Sequence, residues 1–438
     1  MMKFDVVLIG SGLAGLTCGI RLAEAGKSCA IVSAGESALY FSSGSMDLLA
    51  RLPDGRQVTQ PLAAIPELMQ QAPMHPYSRM GEKRFASLTD RAEQLLRESG
   101  LTMTGSALQN HYRITPIGRR RMTWLSPARV PTYALEHPLP WQRVLVIGIE
   151  GFLDFQPKMV TSALQQQGTK AQSQEIYLPF LDKLRDNPSE FRSVNIARWL
   201  DLPENLPRLA EEINRLSKGY DAIILPACLG LASDKVIEDL QIWIGKPIYV
   251  LPTLPPSLLG MRVDQALRAR FHQLGGIVMT GDAVRRMEIA QDRITGIYTR
   301  NHGDIPLRAS QVVLATGSFL NNGLKTVFDR IYEPLLDLDL LETPAREQWT
   351  RQNVFAPQPY LKFGVKTDEY LRPLKEGKAI ENLYAAGAVL GGFDPLFEGC
   401  GAGVSLLSAL YVAEQIIAQR RVEKSMLPGQ AETGEVKQ

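Results

Sequence analysis

Residues 4–15, FDVVLIGSGLAG, restrict the possible fold more than any other stretch. Residues 4–9 form a short, nearly continuous apolar run, the pattern of a strand buried on both faces. After Gly10-Ser11-Gly12 the apolar positions Leu13, Leu16, Ile20 and Ala23 recur at helical spacing, and Gly26 can end that helix. Residues 29–32 supply a second strand, so the chain opens on a βαβ unit. Gly10, Gly12 and Gly15 stand in the GxGxxG spacing between strand and helix. The first allows the tight turn, the second lets backbone approach a pyrophosphate, and the third lets helix and strand pack closely. The N–H groups at the helix start then face the phosphate along a favourable dipole.

At 438 residues the chain is long enough for two or three domains, with ample sequence for a buried core. Residues 143–147 (RVLVI), 221–225 (DAIIL) and 248–251 read as further strands, with a helical pattern over 206–218. Residues 275–319 read as short strands divided by Gly-Asp and Gln-Asp turns, ending on a buried strand at 312–315. The expected fold class is α/β: a Rossmann-like dinucleotide-binding domain with an inserted second α/β domain. The expected partition gives 1–50, 265–330 and 356–438 to the first and 51–264 with 331–355 to the insertion. The polar tail after Leu427 is expected to be loose.

Net charge is +2 with 21% charged residues, which gives no electrostatic case for nucleic-acid binding. Cys18, Cys29, Cys228 and Cys400 are scattered without CxxC spacing, against a disulfide frame, a zinc site or an iron–sulfur cluster. No metal is expected, and reduced cytoplasmic thiols are the simplest reading. The apolar N-terminus is not expected to be a signal peptide, since Asp5 interrupts it, glycines punctuate it and no small-residue cleavage site follows. No run is expected to reach the roughly 20 apolar residues of a membrane helix, since 248–260 is broken by Pro252, Pro255 and Pro256.

Two later turns extend the dinucleotide reading: VVLATGSF (312–319) and ENLYAAGAVLGGF (381–393) each end a strand on small residues. With VVLIGSGLAGL at the front, the sequence resembles the two-dinucleotide-binding flavoproteins. The stretches FSSGSMDLL, EFRSVNIARWLD, LPTLPPSLLGMR, TRNHGDIPLR and LGGFDPLFEGCG are similar to the B-subunit family of bacterial anaerobic glycerol-3-phosphate dehydrogenases. The resemblance implies contacts to the cofactor from Gly10, Gly12, Leu13, Ala14 and Gly15, and from Ser33, Ala34, Ser42, Ser43 and Gly44. It also implies contacts from Val284, Ala315, Thr316 and Gly317, and from Gly387, Ala388, Gly401, Ala402, Gly403 and Val404. The helix beginning there would turn its positive end to the flavin ring.

Two positions depart from the pattern. Ser33 stands where such proteins usually carry an acid on the adenosine ribose, with Glu36 as a possible substitute, and Ala388 replaces an acid at the ribityl chain. FMN, which has no adenosine ribose, follows from the family resemblance, whereas FAD follows from the intact pyrophosphate loop. Both stay open at this point.

The resemblance further implies oxidation of glycerol 3-phosphate to dihydroxyacetone phosphate, with electrons passing towards menaquinone, fumarate or nitrate. It implies that A and C subunits are partners, the C chain carrying the iron–sulfur clusters, and that the complex is cytoplasmic and held peripherally at the inner membrane through those partners. An electron-relay or structural flavin subunit is the alternative. A free-standing NAD(P)H-linked reductase is disfavoured, because no second GxGxxG is present. His302, beside Arg300, is the candidate base, set against a structural loop histidine. Arg119, Arg121 and Arg300 are the substrate-phosphate candidates. Cys400 reads as a small buried residue rather than a redox thiol.

Overall fold

The computed structural model describes residues 2–426, with side chains to Gln419; the tail expectation after Leu427 lies outside the described residues. The chain opens with β1 (Lys3–Ile9), α1 (Leu13–Glu24) and β2 (Cys29–Ser33). Helices α2 (Pro61–Gln71) and α3 (Glu82–Glu98) precede a hairpin of β3 (His111–Ile114) and β4 (Arg120–Thr123). The middle supplies β5 (Arg143–Ile149), β6 (Lys170–Ile176), α4 (Leu206–Leu216), β7 (Ala222–Pro226) and β8 (Ile248–Leu251). The chain returns through α5 (Leu258–Gln273), β9 (Ile277–Thr280), the hairpin of β10 (Val284–Ala290) and β11 (Arg293–Thr299), and β12 (Arg308–Leu314). It continues to β13 (Leu383–Ala385) and α6 (Gly401–Met426).

The first sheet has the order β9-β2-β1-β12-β13, parallel throughout. Parallel strands covered on both faces need continuous apolar runs, and Val6, Val7 and Leu8 are fully buried accordingly. Gly26, at φ +74°, ends α1, and the N–H groups of Gly26 and Lys27 turn back to the carbonyls of Ala23 and Leu22. A second parallel sheet, β8-β7-β5-β6, carries its own core, with Leu209, Ala210 and Ile213 of α4 buried in it.

The two cores divide the chain differently from the expected partition. Ile65 and Leu68 of α2, and Phe85, Leu88, Leu95 and Leu96 of α3, pack in the first core, as do Leu336 and Leu338. The unit with a separate core begins near Ile114 and ends near Leu259. A second correction concerns α6. Its stretch from Gly401 to Gln419 is long and apolar enough to cross a membrane by length and composition. Val404, Leu406, Leu407, Leu410 and Val412 are fully buried, however, so that apolar surface is already covered by the fold, largely against α1 and α3.

Candidate functional site

The glycine loop is fixed where β1 ends between its parallel neighbours β2 and β12. The Gly10 N–H donates to the Val32 carbonyl at 2.8 Å, and the Ala315 N–H donates to the Ile9 carbonyl at 2.9 Å. Gly10 has φ +110°, and a Cβ there would overlap the Ala315 carbonyl; at Gly15 it would overlap the Gly10 carbonyl oxygen. A Cβ at Gly12 would meet no protein atom within 4 Å, because Gly12 faces a cavity of about 750 Å³. That volume lies within the range of ligand sites.

The cavity runs from Ser33–Leu39 past the loop and Ala315–Gly317 to Gly401, Ala402 and Ser405 at the head of α6. Gly10, Gly12, Leu13, Ala14, Ser33, Ala34, Val284 and Ala388 also line it. The other expected contacts lie off its wall. Gly15 packs behind the loop, and Gly387 donates its N–H to Ser408 Oγ. The turn Ser42–Ser43–Gly44 is set against α5, where a Cβ on Gly44 would come within 2.9 Å of the Leu259 carbonyl oxygen. Gly403 donates its N–H to the Asp47 carbonyl at 2.8 Å, and Val404 is fully buried.

The wall also includes Asp282, Arg285, Asn321, Asn322 and Lys325, which sequence reasoning did not single out. Only the Gly281-Asp282 turn signal could have suggested the first of these. The residues present fit a dinucleotide: Thr316 Oγ1 on the wall is shielded from solvent and has no partner in the protein. The wall also continues well past the loop towards Glu36 and Asp282, where an adenosine would lie.

Ser33 is part of a buried chain of polar groups. Its Oγ donates to the Gly35 carbonyl and accepts from Ser11 Oγ at 2.7 Å. Arg268 of α5 donates through Nη2 to Ser11 Oγ at 2.9 Å and through Nε to Asp264 Oδ2 at 2.6 Å. Burial pushes the Asp264 carboxyl above its ordinary range, against the opposing pull of Arg268. Two carboxylates stand on the cavity wall near Ser33: the exposed Glu36, and Asp282, whose N–H donates to the Ser33 carbonyl at 3.1 Å.

His302 lies off the wall, its Nδ1 2.8 Å from Thr299 Oγ1 and 3.2 Å from Asp282 Oδ2. Arg300 donates to the Gly281 carbonyl. Both therefore support the turn that carries Asp282. Arg119 is exposed on the β3–β4 turn, and Arg121 is ion-paired with Asp47. His75 accepts the Tyr77 N–H on Nδ1, leaving Nε2 to face Glu398 at 3.3 Å. Burial, reinforced by Glu398 and Asp394, raises the Cys400 thiol well above its ordinary value, so it is not a thiolate.

Burial raises the Asp282 carboxyl, but hydrogen bonds from Thr299, Asn301 and His302 outweigh it and hold the group below the usual range. Its contribution is therefore present above the unfolded value of about 3.9 and is lost as pH falls through the lower folded value. Asp282→Asn is expected to lose about 1–3 kcal/mol at neutral pH. Urea titrations should show that deficit shrinking towards zero in the acid range, and a deficit independent of pH would contradict this account.

The FAD-binding-domain family matches residues 5–404. The B subunit of the anaerobic glycerol-3-phosphate dehydrogenase of Yersinia pseudotuberculosis is 64% identical over 96% of this chain and 100% of that one. The chain belongs to this B-subunit family. Its Pectobacterium atrosepticum relative is 56% identical over 95% of this chain and 99% of its own. The Actinobacillus pleuropneumoniae relative is 45% identical over the same shares. The fold is that of the FAD-binding domain, and the match gives the FMN expectation no support.

Proposed function

We propose that this chain is the flavin-carrying subunit of a respiratory sn-glycerol-3-phosphate dehydrogenase that oxidises glycerol 3-phosphate to dihydroxyacetone phosphate. The observation that carries this reading is family membership over nearly the whole chain, joined to a cavity running from Glu36 to the head of α6. Held there, FAD would have its pyrophosphate at Gly12 and Leu13, its ribose at Ser33 and Glu36, and its ring near Gly401 and Ala402. A flavin supplies a two-electron acceptor for the alcohol carbon. The α6 N-terminus favours negative charge at the ring end.

In this reading the chain works with an A subunit and an iron–sulfur C subunit, which pass the electrons towards menaquinone. The complex sits at the cytoplasmic face of the inner membrane and touches it through its partners. Four free, buried and dispersed cysteines are consistent with clusters housed in another chain. The electron-relay reading draws support from one observation: no histidine lines the cavity among the described residues.

The test uses the purified chain. Heat-released cofactor is identified by mass, and the intact protein is then mixed anaerobically with glycerol 3-phosphate. FAD and bleaching of its absorbance are the expected results. A flavin that is reduced only after the A subunit is added would overturn the assignment of the oxidation to this chain and favour the relay.

A further inference from the structure

We propose that Arg113 and Arg121, on one face of the β3–β4 hairpin, form with Ser45 and Asp47 a binding site for a small hydroxylated phosphate monoester. This rests on the reading above and names the residues that would receive the substrate.

The hairpin register sets Arg113 opposite Arg121 and His111 opposite Thr123, so all four side chains share a face. Arg121 forks onto Asp47 Oδ2, with Nε at 3.0 Å and Nη2 at 2.6 Å. Arg113 is only 6% exposed; its Nε donates to Thr123 Oγ1 at 3.1 Å, and its Nη1 has no partner. Asp47 Oδ1 and Ser45 Oγ are shielded in the same way and are also unpaired.

Buried polar groups are almost always satisfied, so an unpaired guanidinium nitrogen, carboxylate oxygen and hydroxyl in adjoining segments mark a missing partner. The chemistry of that partner follows from the three groups. Arg113 Nη1 can only donate, Asp47 Oδ1 can only accept, and Ser45 Oγ does either. A bare anion would leave Asp47 unpaired, and a cation would leave Arg113 unpaired. A molecule with an anionic oxygen and a hydroxyl satisfies both.

Charge favours the anion at the arginine side, because two guanidiniums face one carboxylate. Burial lowers Arg113 to about 10, partly opposed by Asp47, so it stays charged at neutral pH. Burial, then Arg113, takes His111 down to about 4, so its ring is neutral and adds no charge. Arg121, 40% exposed, marks the solvent side and can turn from Asp47 to an incoming phosphate. The location suits a substrate, since the Asp47 carbonyl accepts the Gly403 N–H beside Gly401 and Ala402 on the cavity wall.

The test is calorimetric titration of the flavin-loaded protein with sn-glycerol 3-phosphate, inorganic phosphate and glycerol. Both phosphates should bind, glycerol should not bind measurably, and Arg113→Met should weaken the ester by about 10- to 100-fold with flavin content unchanged. Arg113→Lys should recover part of that loss. Because removing a buried arginine can disrupt the hairpin, Arg121→Gln, at the open side, is measured beside it and should weaken binding about 10-fold. Ester affinity within twofold of wild type in Arg121→Gln and in a folded Arg113 variant would overturn this site, while flavin reduction by the ester would leave the proposed activity standing. No binding of either phosphate to the wild-type protein would mean that ordered water alone fills the cluster. If the ester also fails to reduce the flavin, the proposed activity falls with it.

Discussion

Gly10→Ala is expected to purify without flavin, and its companion Gly12→Ala to fold normally yet bind flavin poorly. The two positions separate backbone constraint from ligand space. Gly10 has φ +110°, a conformation L-residues rarely adopt, and its Cβ would fall 2.8 Å from the Ala315 carbonyl carbon and closer still to the oxygen. Neither side can yield cheaply, because the Ile9 and Ala315 backbones are hydrogen-bonded to each other across β1 and β12. Strain and overlap together cost about 2–5 kcal/mol and displace the N–H groups that would meet the pyrophosphate.

Gly12 has φ −76°, and a Cβ there would have no protein atom within 4 Å, so the free protein should keep its stability to within about 0.5 kcal/mol. The methyl would instead occupy the space where the pyrophosphate approaches, lowering flavin affinity about 100-fold or more. The ratio of flavin to protein absorbance, read beside the melting temperature of the flavin-free protein, distinguishes the two effects. Full flavin content in Gly12→Ala would show that the pyrophosphate does not pass this point.

That contrast also explains what the sequence could reveal. The β1–Gly10–Gly15–α1 unit is legible because its determinants are local: an apolar run, three glycines at fixed spacing, and a helix ended by Gly26. The strands over 143–147, 221–225 and 248–251 are legible for the same reason. The division between cores is not. Phe85, Leu88, Ala92 and Leu95 mark a buried face on α3, but periodicity does not say which core covers it, and the first core does. The arginine run 119–121 is conspicuous in the sequence, whereas Arg113 becomes notable only once the hairpin register sets it against Arg121. The missing acid at Ser33 can be read directly, but its connection to Arg268 runs through Ser11, 257 positions from that arginine, and is set by the packing of α5.

Arg268 is therefore the residue whose loss should matter most away from the cavity wall. Arg268→Met would leave the Asp264 carboxylate, 1% exposed, without its charged partner and Ser11 without its donor. Breaking a buried pair from one side costs about 3–5 kcal/mol, because the remaining charge is uncompensated. The pH dependence gives the sign. Burial already raises the Asp264 carboxyl and Arg268 opposes that rise, so removing the arginine raises it further. A carboxyl raised in the folded state binds more protons than in the unfolded chain, and stability falls as pH climbs from the unfolded value of about 3.9 through the folded one. The deficit of Arg268→Met should then be largest at neutral pH and smaller at about pH 5. The double variant Arg268→Met/Asp264→Leu should recover most of the stability, since an apolar pair can replace a buried ion pair. It should not recover flavin retention, because Ser11 and Ser33 would still lack the guanidinium that orders the loop. Urea titrations of the single and double variants, with flavin content measured on each, test both halves. A double variant with full flavin content would show that the Arg268–Ser11 contact is dispensable for holding the cofactor.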